Sequence, residues 1–290
     1  MDGIIIINKP QGCTSHDIVY KIKKVVNEKV GHTGTLDPMA TGVLPLLIGK
    51  GTLCSKYLIN HDKIYQVKLL LGKRTATMDI EGEVIEEKPV TLEMLEKEKI
   101  NETFKLLTGK QEQTPPIYSA IKVNGKKLYE YARKGQKVEI KPRRIEIYKI
   151  ELLQIYKETQ EIEFEVSCSK GTYIRSLCEE IANKLGTVGY TSNLKRIQVG
   201  EFNIADSINL EELNDNKDAI KSIQKKLISI ENLFSNKPII ELEERKIQLL
   251  LNGVKITQKQ NDGIYRIYCK NEFIGIGMIQ DNLLKRDIIL

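Results

Sequence analysis

The sequence has 290 residues, 41% of them hydrophobic and 29% charged, a balance typical of globular proteins. Its longest wholly apolar runs, such as Ile4 to Ile7, fall far short of the length of a membrane-spanning helix. The first residues also lack the basic and apolar regions of a signal peptide, so we expect a cytoplasmic protein.

The predicted elements follow an irregular order along the chain. Apolar periodicity predicts a buried strand at Ile4–Ile7, then a helix with Ser15 as its N-cap, and then a Gly-, Thr- and Pro-rich loop from Gly31 to Pro45. Further strands are predicted at 65–71, 82–85, 144–150 and 161–168, helices at 91–107, 173–185 and 241–251, and a hairpin at 264–279. Because these elements do not repeat with βαβ spacing, they predict an α+β fold.

A change of composition between Asp215 and Pro238 predicts a domain boundary. A polar stretch ends there at Asn236-Lys237-Pro238, a sequence typical of a turn or loop. This turn separates the predicted C-terminal helix and hairpin from the preceding elements. We therefore predict a large domain over residues 1–235 and a small β-rich domain over residues 236–290.

The five cysteines and three histidines show no metal-binding spacing. No CxxC pair occurs, and no histidine is placed to complete a zinc site with a cysteine. We expect reduced cysteines, no metal and no cofactor.

Positive charge is concentrated between Lys122 and Lys149, where ten Lys or Arg residues stand against three Glu. Tyrosines 129, 131 and 148 lie among these cations. Cations for phosphates and rings for bases are typical of an RNA-contacting segment, although an ordinary solvated surface explains the charge equally well.

The loop GHTGTLDPMATGVLP, which begins at Gly31, is the most informative stretch of the chain. It lacks both the GxxxxGK[ST] pattern of a P-loop and the GxGxxG pattern of a dinucleotide site. From the residues alone, Asp37 could equally be a helix cap in a tight connection or a catalytic carboxylate.

This loop resembles the catalytic motif of the TruB family of tRNA pseudouridine synthases, whose Asp in the LDP triplet is essential. Five further segments between Asn8 and Phe202 resemble motifs of the same family: NKPQGCTSHDIV, KIYQVKLLLGKRTATMDIEG, PPIYSAIKVNGKKLYEYARKG, CSKGTYIRSL and SNLKRIQVGEF. The resemblance implies the pseudouridine synthase fold, with a mixed or antiparallel sheet and flanking helices. The end of the chain resembles a reduced PUA domain, a small RNA-binding module, but this resemblance is weaker than that of the catalytic motifs.

The resemblance also implies which residues do the chemistry. Asp37 would be the catalytic carboxylate, acting either as a covalent nucleophile or as a base for a glycal route. Arg175 would hold Asp37 ionised through a charge-assisted pair, since a carboxylate in a dry site needs a cation. Tyr65 would lie against the target base.

RNA-binding roles are implied for further residues. Tyr173 and Leu194 match positions that contact the flipped nucleotide, His32 matches a wedge that fills the space left in the RNA, and Lys9 matches a basic residue of the first motif. A basic insertion at about 112–145 would grip the RNA through Lys126, Lys127, Arg143 and Arg144.

Two segments carry less weight. Thr75, Thr77 and Asp79 form a T-x-T-x-D pattern that we interpret as turn chemistry and leave outside the site. In the last motif Lys195 replaces the usual Arg, which would weaken a bidentate phosphate contact.

The implied activity is conversion of uridine 55 in the T-loop of tRNA to pseudouridine by a stand-alone, metal-free monomer without a protein partner. Two alternatives remain open: a non-catalytic tRNA-binding or folding chaperone, and a synthase that depends on guide RNA. A small-molecule enzyme with a coincidental Asp loop has no cofactor motif to support it.

Overall fold

A ten-stranded sheet is the framework of the larger part of the computed structural model, which describes residues 1–213 and 216–290. Together with two small hairpins, the strands of this part are, in chain order, β1 (Gly3–Lys9), β2 (Val30–His32), β3 (Thr41–Ile48), β4 (Lys63–Leu71), β5 (Lys73–Thr75), β6 (Val84–Glu87), β7 (Gly109–Gln113), β8 (Lys122–Val123), β9 (Lys126–Lys127), β10 (Arg143–Tyr156), β11 (Glu161–Cys168), β12 (Gly189–Val199), β13 (Phe202–Asn203) and β14 (Ile208–Asn209).

The main path of the sheet runs β14-β1-β3-β12-β4-β11-β10-β7, with β2 beside β3 and β13 beside β12. β1 pairs in parallel with β14 and β12 in parallel with β3, whereas the other pairs are antiparallel. The sheet is therefore mixed, and the predicted α+β class is confirmed. The central strands β3, β12 and β4 carry the candidate site.

Eight α-helices accompany the strands within the described residues. They are α1 (Ser15–Val26), α2 (Ser55–Leu58), α3 (Lys97–Leu106), α4 (Leu128–Ala132), α5 (Ile174–Leu185), α6 (Asn216–Lys226), α7 (Ile230–Leu233) and α8 (Glu244–Leu251), with short 3-10 turns at Gly49–Cys54, Leu92–Leu95, Ile204–Asp206 and Leu210–Leu213. Asp215, where we placed the change in composition, lies outside the described residues.

The start of α1 differs from the prediction that Ser15 is the N-cap. Thr14 caps the helix, and its side chain and that of Asp17 bond each other's backbone in a capping box. Ser15 is buried, and its hydroxyl both donates to the Leu36 carbonyl and accepts from the Leu36 amide. It therefore fixes the loop that carries Asp37.

The helix predicted at 91–107 is broken at Glu96, whose backbone is extended (φ −80°, ψ 137°). Leu95 and Ile100 are both buried, yet residues five apart lie on different sides of an unbroken helix. The break lets both face the core. The predicted loop at 31–45 is also too long, because β2 and β3 take its two ends and leave residues 33–40.

The C-terminal residues form a separate five-stranded sheet in the order β15-β17-β18-β19-β16, with β15 (Ile239–Glu241), β16 (Ile256–Thr257), β17 (Gly263–Cys269), β18 (Glu272–Gln280) and β19 (Leu283–Ile289). The predicted hairpin is confirmed as β17–β18. Its turn is Lys270-Asn271, and both residues have positive φ (52° and 64°), as a two-residue hairpin turn requires. The boundary near residue 236 stays a prediction.

The two sheets share a hydrophobic core. Ile4 and Ile6 on one face of β1 belong to the same buried cluster as Phe202, Ile276 and Ile288. The opposite face of β1 packs with α1 and α5 in the main core. Because both faces of β1 are buried, the strand is an unbroken apolar run without alternation.

The close approach of β3 to β12 at Gly42 gives a test of the packing. Gly42 has a φ of 103°, and a Cβ there would overlap the backbone oxygen of Arg196. Gly109 has a similar φ of 110° with nothing near its missing Cβ. We expect Gly42→Ala to lower the unfolding free energy in urea by more than ~3 kcal/mol and Gly109→Ala by only ~1–2 kcal/mol. Equal losses would contradict the overlap.

Candidate active site

Asp37 lies in the connection between β2 and β3, and buried side chains from three other segments hold this loop. Arg196 on β12 donates to the carbonyls of Gly34 (3.0 Å) and Thr35 (3.5 Å), and Ser15 bonds Leu36. After Asp37, the Pro38 carbonyl accepts from the Gly12 amide (2.9 Å) and from the Lys9 ammonium (3.2 Å). The loop is therefore held on both sides of the carboxylate.

Arg175 is the charge partner of Asp37. Its Nε lies 3.0 Å from Asp37 Oδ2, and its side chain is 5% exposed, against 36% for that of Asp37. Arg175 sits in the first turn of α5, for which Tyr173 is the N-cap residue. The predicted helix at 173–185 is thus confirmed to within one residue, and its start sets the position of the guanidinium.

The other two guanidinium nitrogens of Arg175 are also hydrogen-bonded. Nη1 donates to the Thr77 carbonyl (2.9 Å) and pairs with Asp79 Oδ2 (3.2 Å), and Nη2 donates to the Tyr118 carbonyl (2.8 Å). A planar guanidinium with all its nitrogens bonded has a fixed orientation. Arg175 therefore presents Nε to Asp37 in one defined geometry.

Asp79 corrects our reading of the T-x-T-x-D segment as turn chemistry alone. The turn exists, since Asp79 Oδ1 accepts from Thr77 Oγ1 and from the Glu81 amide. The other oxygen, however, is the one that pairs with Arg175, and Asp79 is only 3% exposed. The pattern of turn residues in the sequence gave no sign of this second contact, which depends on a residue 96 positions away.

The pKa of Asp37 reflects two opposing effects. Removal from water raises the pKa above its ordinary value, the Arg175 charge lowers it, and the Asp79 charge raises it again. The carboxylate is consequently a stronger base than an exposed aspartate while it remains paired with a cation.

A cavity of about 300 Å³ opens beside this pair. Its lining brings together the five residues that the sequence placed against the target base or its chemistry: Asp37, Tyr65, Tyr173, Arg175 and Leu194. They come from the β2–β3 loop, β4, the start of α5 and β12. An apolar pocket with a few converging polar groups is the usual form of a site for a small planar ligand.

Arg196 is a lining residue that the sequence analysis missed. We weighed its neighbour Lys195, which is exposed, whereas Arg196 is 1% exposed and donates to the Val43 carbonyl (2.8 Å). In the β12–β4 register Arg196 lies opposite Tyr65. Strand alternation within SNLKRIQVGEF could have separated the buried Arg from the exposed Lys.

Tyr65 is buried, which raises its pKa to about 12. The phenol is therefore protonated at neutral pH. It can donate a hydrogen bond and offer a ring face to a base.

Lys9 and His32 lie outside the lining of this cavity. Lys9 is fully buried, and its ammonium donates to the carbonyls of Pro10, Cys13 and Pro38. An ammonium so placed supports the Asp37 loop, and the RNA-binding role of Lys9 stays a prediction. His32 is half-buried on β2, and burial lowers its pKa, which keeps the imidazole neutral.

The first half of the basic insertion packs against the site. β8 and β9 form a hairpin around Asn124-Gly125, followed by α4, and the Tyr118 carbonyl ahead of the hairpin is the one bound by Arg175. The four cations predicted to grip RNA lie on β9 and at the start of β10, and all but the half-buried Lys127 are exposed: Lys126, Lys127, Arg143 and Arg144.

Among residues 1–213 and 216–290, no group of three or more His, Cys, Asp or Glu side chains is arranged to hold a metal ion. Within the same residues, no helix is both long and apolar enough to span a membrane.

Comparison with known proteins agrees with this geometry. The family model of the TruB family pseudouridylate synthase N-terminal domain matches residues 22–174, a tRNA pseudouridylate synthase B C-terminal domain matches 175–235, and a pseudouridine synthase II TruB C-terminal model matches 238–285. The chain is thus covered by models of one family on both sides of the Asp37 site.

Full-length relatives show the same relationship. The tRNA pseudouridine synthase B of Clostridium kluyveri is 46% identical over 97% of this chain and 96% of its own. The enzyme of the same name from Caldanaerobacter subterraneus subsp. tengcongensis is 41% identical over 98% of each chain. A solved structure described as a Cbf5-Nop10-Gar1 complex aligns with a TM-score of 0.69 and 25% identity over 96% of this chain and 78% of that one. Because a family model covers more than half of the chain and relatives at least 41% identical span nearly all of it, the chain belongs to the TruB family of pseudouridylate synthases.

Proposed function

We propose that the protein converts uridine 55 in the T-loop of tRNA to pseudouridine, acting as a single chain without guide RNA. The observation that carries the proposal is the Asp37–Arg175 ion pair of 3.0 Å beside a cavity of about 300 Å³. The reaction breaks the N1–C1′ bond, turns the uracil and joins C5 to C1′, so it needs a positioned carboxylate and a site that retains the detached base.

Asp37 meets the first requirement. A carboxylate whose pKa is raised by burial is more nucleophilic and more basic than an exposed one, and Arg175 keeps it charged. Both attack on the nucleoside and proton abstraction from C2′ are open to a group in this position. The two routes share the requirement that Asp37 be ionised.

Tyr65, Tyr173 and Leu194 meet the second requirement, because their side chains line the cavity next to Asp37. Two rings and an apolar side chain suit a planar base turned out of its stack, and the neutral phenol of Tyr65 leaves no competing negative charge. We propose that His32, neutral and at the start of the same loop, fills the space that the base leaves in the RNA.

Substrate binding is assigned to the basic insertion. It combines exposed cations with direct contact to the catalytic arginine through the Tyr118 carbonyl. Because the chain itself supplies both the catalytic pair and this surface, we propose that neither guide RNA nor a protein partner is needed. A monomer in the cytoplasm is consistent with that role.

The first test is conversion of an unmodified tRNA transcript by the purified protein in the presence of EDTA. Pseudouridine mapped by chemical labelling and primer extension should appear at position 55 alone, and Asp37→Asn should abolish it. Tight binding by Asp37→Asn is expected, since the change removes charge but not shape. A variant that still converted uridine would exclude Asp37 as the catalytic group, and binding without conversion by the wild type would favour a chaperone.

The pH dependence of the single-turnover rate tests the role of Asp79. The active form has Asp37 ionised, so the rate falls as pH falls through the pKa of Asp37. Asp79→Asn removes a negative charge that raises this pKa, and the acid limb should therefore move to lower pH. The plateau rate should fall by about 10–100-fold, because Arg175 loses a charged partner.

Glu83→Gln is the matched control, since Glu83 is an exposed carboxylate in the same segment. It should leave both the acid limb and the plateau nearly unchanged. An equal shift in the two variants would mean that net charge, rather than the bond to Arg175, sets the profile.

The salt dependence of tRNA affinity tests the basic insertion. Each phosphate contact that is lost should reduce the slope of log affinity against log salt by about 0.7–0.9. We expect a shallower slope when the four predicted cations are replaced by glutamine: Lys126, Lys127, Arg143 and Arg144. Four exposed lysines outside the insertion provide the control: Lys23, Lys97, Lys105 and Lys157. If both sets lowered the slope equally, the insertion would have no special role in binding.

A further inference from the structure

Ser119 is a cavity-lining residue whose side chain has no partner in the structure. It follows Tyr118 in the insertion, is 6% exposed, and lines the cavity beside Asp37. Its hydroxyl makes no hydrogen bond among residues 1–213 and 216–290. A buried hydroxyl without a partner is unfavourable, and in native proteins such a group calls for an explanation.

The position of this hydroxyl is fixed from both sides. The Ser119 carbonyl accepts from the Tyr129 amide of α4 (3.2 Å), and the neighbouring Tyr118 carbonyl accepts from Arg175 (2.8 Å). The backbone of Ser119 is thus held between the insertion helix and the catalytic arginine. Its unbonded state is not the result of a loose segment.

Several other polar side chains around the cavity are already engaged. Arg175 and Arg196 donate to carbonyls and carboxylates, and Thr172 donates to the Ser169 carbonyl (2.9 Å). The phenol of Tyr173 lies close enough to the Ser119 hydroxyl to affect its own pKa, but the two groups do not form a hydrogen bond of accepted geometry. Ser119 therefore retains its donor and its acceptor for whatever enters the cavity.

We propose that Ser119 recognises the target uracil by donating its hydroxyl proton to a ring carbonyl. This inference rests on the proposed function and deepens it by naming a residue that reads the base. Uracil has the carbonyl oxygens O2 and O4 on either side of its N3–H group. A hydroxyl can donate to either carbonyl oxygen and can accept from N3–H.

The symmetry of the reaction makes one hydroxyl sufficient before and after rotation. When the detached uracil turns by half a revolution about its N3–C6 axis, C5 takes the place of N1, and O4 takes the place of O2. A donor that faces one carbonyl of uridine therefore faces the other carbonyl of pseudouridine. Ser119 can hold the ring by the same bond in both states, which favours retention of the base within the cavity.

Sulfur-substituted substrates test this bond directly, because sulfur is a weaker hydrogen-bond acceptor than a carbonyl oxygen. T-arm oligonucleotides would carry uridine, 2-thiouridine or 4-thiouridine at the target position, and single-turnover conversion would be followed by nucleoside chromatography. With uridine we expect Ser119→Ala to be about tenfold slower than the wild type, the loss of one hydrogen bond. One thio analogue should slow the wild type by a similar factor and slow Ser119→Ala little further.

Ser176→Ala is the matched control. The Ser176 hydroxyl donates to the Thr114 carbonyl (3.2 Å), so it joins α5 to the insertion without lining the cavity. It should show no coupling to the thio substitution.

Three results would overturn the inference or locate its failure. An unchanged rate for Ser119→Ala excludes the bond. If the rate loss from Ser119→Ala and the rate loss from thio substitution multiply for both analogues, Ser119 acts by packing alone. A wild type that converts no uridine removes the proposed function itself, whereas active wild type with either of the first two results removes only the role of Ser119.

Discussion

The site depends on one buried cation. Arg175 is 5% exposed and pairs with two carboxylates, those of Asp37 and Asp79, while backbone carbonyls accept further hydrogen bonds from Nη1 and Nη2. A guanidinium taken out of water is costly unless its charge is paired and its N–H groups are hydrogen-bonded. Satisfying Arg175 brings three distant segments together at one point, beside the cavity that Asp37 and Arg175 line.

Two further buried cations support the loop that carries Asp37. Lys9 and Arg196 direct their donors to carbonyls on either side of Asp37. Bonds to the backbone constrain the path of the loop without competing for the carboxylate. Arg175 pairs directly with the Asp37 carboxylate, whereas Lys9 and Arg196 bind the loop backbone and lower the pKa of Asp37 through their charge.

The sequence predicted much of the fold and the components of the cavity, but it did not predict their connections. Strand alternation located β4 and β11, and Gly186 correctly marked the end of α5. Asp79 was missed because a turn motif explains its local pattern completely. The burial of Lys9 was not predicted for a similar reason, since a cation beside Pro10 gives no local sign that it is buried. Contacts between segments far apart in sequence decide both roles, and periodicity carries no information about them.

The core shared by the two sheets has a consequence for biosynthesis. β1 is synthesised well before β18 and β19, yet one of its faces belongs to the cluster that includes Ile276 and Ile288. On the ribosome, this apolar face has no complete cover until the C-terminal sheet has emerged. The ten-stranded sheet therefore cannot complete its folding while the chain is still being translated. Until then the nascent chain exposes an aggregation-prone strand that chaperones can shield.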